Sequence, residues 1–294
     1  MKLDPVALFQ RLANDISDEL HKNLFVTGSL AAAYHFRAQL EERAINTKDA
    51  DVVVHPAGNI ASCQQMAARL IELGWTRTEE CYPRPIPEPK ENLRAIRLYP
   101  PGPHDYFIEF LNLPSENQEE LKEWIPVELD DGWYGLPSFR FLSVTSLHRL
   151  KSGVGLEYAS PSMMALANLL AHRQIGTARI ESGPMVGLLR AAKDLGRVIA
   201  LARLAGRNET ERWLPEWLEA LQLCFPGNWG EPAFCLGDGL KELLGDDNAL
   251  DDAQKTTDVG LLNGQGVTSM MLRATAERLL LDVIDPLAQR RSWP

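Results

Sequence analysis

Two short stretches, taken together, limit what this chain can fold into more than anything else in it. "LFVTGSLAAAYHF", Leu24 to Phe36, is an apolar run that reaches Gly28-Ser29 and continues into an alanine-rich segment. "TKDADVVVH", Thr47 to His55, sets two aspartates one residue apart at the head of a valine run. An apolar run of Leu, Phe and Val bounded by glycine reads as a buried strand, and the alanine-rich stretch after it as a helix. Side chains two apart on a strand share a face, so Asp49 and Asp51 project together while Ala50 and Val52 face away. Two carboxylates held side by side repel one another, and a cation between them removes that penalty.

The rest of the first half alternates in the same way. Residues 5–20 read as an amphipathic helix, 29–43 as a helix, and 59–73 as another closed by Gly74. "CYPRPIPEPKEN" is a proline-rich loop. "LRAIRLY" and "DYFIEFLN" read as two strands joined like a hairpin, with further short strands at 126–129, 139–143 and 154–158. From about residue 160 the pattern is helical. Ser160 and Pro161 suit an N-cap and first turn, "PMVGLLRAAKDLGRVIALARLAG" is a long helix, and helices follow at 208–224 and 268–291. The polar span 245–266 reads as a loop. The expected class is α+β: residues 1–150 form a mixed sheet flanked by helices, and residues 151–294 a mainly helical domain packed on it.

Bulk properties narrow the function. The chain has 294 residues, enough for a sizeable core in one large or two ordinary domains. No apolar run approaches the roughly 20 residues of a membrane span, and the charged start "MKLDPVALFQ" is not a secretory signal, so no membrane partner is expected. Cys63, Cys81, Cys224 and Cys235 show no CxxC spacing, which predicts a reduced, cytoplasmic setting and neither a zinc cluster nor a disulfide framework. The six histidines show no metal-ligand spacing. A net charge of −10 argues against non-specific nucleic-acid binding.

The chemistry lies in how the pieces combine. Hard divalent ions such as Mg²⁺ take carboxylate oxygens and leave coordination positions for water and phosphate. A third carboxylate comes from "HDYFIEFLN", where Glu109 sits inside an apolar strand and Asp105 at its entrance. Glu is rarely buried unpaired, so Glu109 needs a reason for its place. Gly28 permits a tight strand-to-helix turn, and the helix N-terminus beginning at Ser29 presents free N–H groups and a positive dipole end to phosphate. A phosphate binder beside two-metal carboxylates points to phosphoryl or nucleotidyl transfer.

Strand, Gly-Ser and helix, then Asp-x-Asp on the next strand and an acidic residue on a later one, resembles the nucleotidyltransferase-fold superfamily of DNA polymerase β type. "VGLEYASPSMMALANLLAHR" followed by "LLRAAKDLGRVIAL" is similar to the second domain of bacterial abortive-infection nucleotidyltransferases of the AbiEii and MenT toxin kind. The resemblance covers about residues 20 to 205. It implies a nucleotidyltransferase fold and an enzyme that moves a nucleoside monophosphate from an NTP to an acceptor hydroxyl, with Mg²⁺ or Mn²⁺. Gly28 and Ser29 would contact phosphate. Asp49, Asp51 and Glu109 would be the catalytic metal ligands. Lys193 and Asp194 would match a Lys-Asp pair, with Lys193 at the nucleotide and the helical domain completing its site. Implied acceptors are a tRNA end, a protein side chain or a small molecule, and a toxin role implies an antitoxin partner. The sequence departs from the pattern at Asn168, where the family often has a lysine that approaches the triphosphate; His172, Arg173 or Lys193 would have to replace it. The third carboxylate is also usually aspartate.

Blander readings stand beside these. Asp49 and Asp51 would cap and solvate a strand end, and Gly28-Ser29 would be an ordinary turn. Arg190, Lys193 and Arg197 share a helix face that is either solvated or a basic wall for a triphosphate. His172 and Arg173 end a helix where positive charge is favourable anyway. The tryptophans near 213–229 read as core. The alternative function is a catalytically degenerate nucleotidyltransferase-fold module for binding or regulation, motivated by Asn168. A third reading, an unrelated α+β protein, would be established by Glu109 lying far from Asp49 and Asp51.

Overall fold

The structure is a computed structural model that describes residues 3–40, 47, 49–85, 93–102, 106–116, 118–175, 178–180 and 185–290. The chain divides into two compact units. One comprises Met1–Arg37 and Glu42–Ala159, the other Ala38–Glu41 and Ser160–Pro294.

The first unit is built on a mixed sheet. Helix α1 (Pro5–Asp15) starts where the Asp4 carboxylate accepts the N–H groups of Val6 and Ala7. It is shorter than the 5–20 expected from periodicity, because Ile16 is extended and a 3-10 turn follows over Asp18–Asn23. Strand β1 (Leu24–Thr27) is buried along its length and leads into α2 (Gly28–His35). That helix ends earlier than the expected 43: Phe36 leaves helical geometry and is buried, and residues 41–46 lie outside the described region. Next come β2 (Asp49–Val54) and α3 (Ile60–Glu72), whose end is followed by Gly74 at φ +86.

Strands β3 (Thr76–Arg77), β4 (Arg97–Tyr99), β5 (Phe107–Asn112), β6 (Lys122–Leu129), β7 (Gly132–Phe139), β8 (Leu150–Lys151) and β9 (Glu157–Tyr158) complete the sheet. Its order is β3-β4-β5-β2-β1-β9-β8, with the β6–β7 hairpin joined through β7 to β5. The expected hairpin-like pair is present as antiparallel β4 and β5. The strand expected at 139–143 is instead mostly a 3-10 helix, Arg140–Ser146. There the hydroxyls of Ser143, Thr145 and Ser146 donate to the carbonyls of Arg140, Leu142 and Ser143 at 2.7–3.0 Å, an alternative to ladder pairing that short hydroxyl side chains favour. Phe9 stacks on Tyr34 at 4.0 Å between ring centroids and fixes α1 against α2.

The second unit is helical: α4 (Pro161–Ile175), α5 (Arg190–Thr210, kinked at Gly206), α6 (Trp213–Cys224), α7 (Gly230–Cys235), α8 (Asp238–Gly245), α9 (Asp247–Val259), α10 (Ser269–Leu279) and α11 (Asp285–Arg290), the last two joined by a π turn. The Ser160 hydroxyl accepts the Met163 N–H, as its N-cap position predicts. Trp213 and Trp217 are core, and the Trp217 indole donates to the carbonyl oxygen of Ser162 at 3.0 Å. The expected loop over 245–266 is largely helix α9. Asp246 accepts the N–H groups of Asn248 and Ala249, while Leu250, Ala253 and Thr257 bury one stripe. No described helix is long and apolar enough to cross a membrane.

Candidate functional site

The site grows from the order of strands. β1 is antiparallel to β2 with Thr27 opposite Asp51. β2 is parallel to β5 with Asp51 opposite Glu109. β5 is antiparallel to β4 with Glu109 opposite Arg97. Cross-strand partners point to the same side of a sheet. Thr27, Asp51, Glu109 and Arg97 therefore form one row across four strands, with Asp49 two residues away on the same face. The alternate residues Ala50, Ile108 and Leu98 are fully buried on the opposite face.

Gly28 closes this row at the β1 end. Its φ is +74, in the left-handed region that favours glycine. A Cβ at this position would collide with Oδ2 of Asp51. The start of α2 and the Asp51 carboxylate are thus in contact, and the two sequence stretches meet in space. Thr27, the N-cap residue, makes no side-chain capping hydrogen bond to the first turn of α2, and Ser29 is half-buried there. Asp49 is exposed and accepts the Thr47 hydroxyl at 2.7 Å on Oδ1.

Glu109 has a partner that sequence reasoning missed. Arg97 Nε donates to Glu109 Oε2 at 2.7 Å, and Arg97 Nη1 donates to Glu80 Oε2 at 2.5 Å. The Glu109 side chain is 15% exposed and that of Arg97 29%. Burial raises the Glu109 pKa above the usual carboxylate value, more than the Arg97 charge lowers it, and Asp49 raises it further. Burial works against the charge of Arg97, yet Glu109, Glu80 and Asp49 together hold its pKa above the ordinary value. The only sequence signal for Arg97 was its position in "LRAIRLY", a charged residue on a strand expected to pair with the one that carries Glu109.

Arg97 also forms one wall of a cavity of about 630 Å³, with Tyr82, Arg94, Lys122 and Trp124 among the other lining residues. Two of these rings carry cations on their faces: Lys122 Nζ lies 4.1 Å from the Trp124 centroid, and the Arg94 guanidinium carbon 5.1 Å from that of Tyr82.

The remaining expected residues fall as follows. Asp105 lies outside the described residues, as does the side chain of Arg173. Lys193 is on α5 in the second unit, where it lines a small pocket of about 30 Å³ with Arg197, Thr256 and Thr257. Asn168 donates to the Met164 carbonyl at 2.7 Å within α4. His172 is a core histidine: it is buried, its Nδ1 lies 3.2 Å from the Leu169 carbonyl oxygen, and its ring fills the space that a Cβ at Gly239 would need. His35 is packed, with Nδ1 3.3 Å from the Tyr158 hydroxyl.

For a metal ion the donor set divides. Asp49 and Asp51 are two carboxylates on one face, next to a helix start, which suits a single hard divalent ion. Glu109 is adjacent but engaged by Arg97. Among the described residues, no group of three or more His, Cys, Asp or Glu side chains is placed to hold a metal ion. No family model, curated protein or solved structure matches this chain.

Proposed function

We propose that the chain is a nucleotidyltransferase that moves a nucleoside monophosphate from an NTP to an acceptor hydroxyl. The observation that carries this reading is the contact between Gly28 and Asp51. It puts a helix N-terminus, suited to phosphate, against a carboxylate pair suited to a divalent cation. In this reading the first turn of α2 and the Ser29 hydroxyl bind the phosphates, and Thr47 orients Asp49. Asp49 and Asp51 would hold Mg²⁺ or Mn²⁺, which would supply charge neutralisation for the phosphates. Glu109, whose proton affinity burial raises, takes the proton of the acceptor hydroxyl. The hydroxyl oxygen bonds to the α-phosphorus, the bond to the β-phosphate bridging oxygen breaks, and pyrophosphate leaves with that electron pair. The 630 Å³ cavity beside Arg97 is of the size that takes a small molecule or the end of a larger one, and is the proposed seat of the acceptor.

The fold proposed for the first unit is the nucleotidyltransferase fold, supported by the parallel pairing of the Asp-x-Asp strand with the Glu109 strand. The acceptor classes (RNA end, protein or small molecule), a role for Lys193 at the nucleotide, and a toxin role with an antitoxin partner in a cytoplasmic setting rest on the sequence resemblance. The test is incubation with each α-phosphate-labelled NTP and, separately, the RNA, protein and small-molecule fractions of a cell extract. Label should appear in one fraction, require the divalent ion and vanish with Asp51→Asn. A second reading, a binding module without catalysis, is favoured by one observation, the engagement of Glu109 by Arg97. NTP binding without label transfer to any fraction would select it.

A further inference from the structure

We propose that Arg97 is the built-in cation of the carboxylate row, standing where a second metal ion would be needed, so that the site takes one divalent ion on Asp49 and Asp51 and none on Glu109. The inference rests on the metal-dependent reading above.

Three features carry it. Register places Arg97 directly opposite Glu109, which is itself directly opposite Asp51, so the guanidinium belongs to the same row as the carboxylates. Two of its nitrogens are committed, Nε to Glu109 at 2.7 Å and Nη1 to Glu80 at 2.5 Å, and its guanidinium carbon lies 5.4 Å from the centroid of the Phe107 ring. The shielded anchor is Glu109, while Glu80 pairs with the guanidinium from the solvent side at 78% exposure. Finally, Glu109 is 15% exposed. A carboxylate so shielded keeps its charge only beside a counter-charge, and Arg97 supplies one. A metal ion at Glu109 would have to approach a fixed guanidinium and compete with it for Oε2, and like charges at such range repel strongly. Arg97 is a positioning residue: it acts through Glu109, keeping that carboxylate available as a proton acceptor and not as a metal ligand.

The test is Mn²⁺ binding to the full chain, followed by electron paramagnetic resonance, with no nucleotide and no turnover. Wild type is expected to bind one Mn²⁺ per chain, lost with Asp51→Asn. Glu109→Gln should leave that binding unchanged. Arg97→Gln should add a second ion or tighten binding about tenfold, the scale of effects from groups beside metal ligands. Arg97→Lys should behave as wild type, and Arg97→Gln with Glu109→Gln should reverse the gain. Weakened Mn²⁺ binding in Glu109→Gln overturns the proposal, as does a folded Arg97→Gln protein that binds Mn²⁺ as wild type does. If wild-type binding depends on Asp51 but Arg97→Gln changes nothing, the proposal alone falls. If neither protein binds Mn²⁺, the metal-dependent reading falls with it. Should Arg97→Gln fail to fold, the Glu109→Gln arm decides.

Discussion

At Gly28 the backbone is in the left-handed region and the α-carbon sits against the carboxylate of Asp51. Gly58 has the same φ of +74, but a Cβ there would meet nothing within 4 Å. The two glycines therefore separate backbone strain from collision. Gly58→Ala should cost about 1–2 kcal/mol, the left-handed penalty of an L-residue. Gly28→Ala should cost distinctly more, because Asp51 must also move, and urea denaturation of both variants measures the difference. Equal costs would mean that Asp51 yields freely and that the helix start and carboxylate are not rigidly coupled. Glu109 makes a second residue-scale prediction. Its folded pKa is raised, with burial the main cause. The folded state thus holds that proton more tightly than the unfolded chain does. Its contribution to stability is full below the unfolded carboxylate value and is lost as pH rises through the folded one. Urea unfolding free energies followed upward from about pH 4.5, near the ordinary glutamate value, should show a falling component in wild type that is absent in Glu109→Gln. A wild-type curve with the same slope as the variant would contradict the burial argument.

Helix α9 shows at the scale of elements how a cap and a narrow apolar stripe produce order in a polar span. Its N-cap bonds from Asp246 should make Asp246→Ala cost about 1 kcal/mol, read as a lowered midpoint in thermal unfolding, whereas Asp251→Ala on an exposed position should change little. What the sequence made legible follows from the same physics. β1, α2, β2 and α3 could be read because "LFVT" and "VVV" are β-branched or bulky runs, and Gly74 marks a helix end. The segment after Asn248 could not, because four Asp and two Thr in Asp247–Val259 conceal a stripe of only a few buried residues. Of the β6–β7 hairpin only residues 126–129 were expected as strand, and Gly132–Phe139 was not, because Pro126 and Pro137 lie inside its strands at positions that ordinarily argue against pairing. At the site, Asp49 and Asp51 were legible because strand alternation is local. The Arg97–Glu109 pair was not, because it depends on the β4–β5 register, a pairing between residues distant in the chain.

For the whole molecule, the site's composition has to be weighed against its charge. A chain of net charge −10 repels a polyphosphate at long range, so nucleotide affinity must be supplied locally. In the first unit the proposed sources are the start of α2 and a cation held by Asp49 and Asp51. Arg97 is already engaged by two acids. Nucleotide binding should therefore depend steeply on the divalent ion. Isothermal titration of the full chain with each of the four NTPs, with and without Mg²⁺, beside the Asp49→Ala/Asp51→Ala double variant, reads this dependence out. At least one NTP should bind, and its binding should require Mg²⁺ and disappear in the double variant. Binding that survives both the loss of Mg²⁺ and the double substitution, or no binding by a folded wild-type protein, would contradict it.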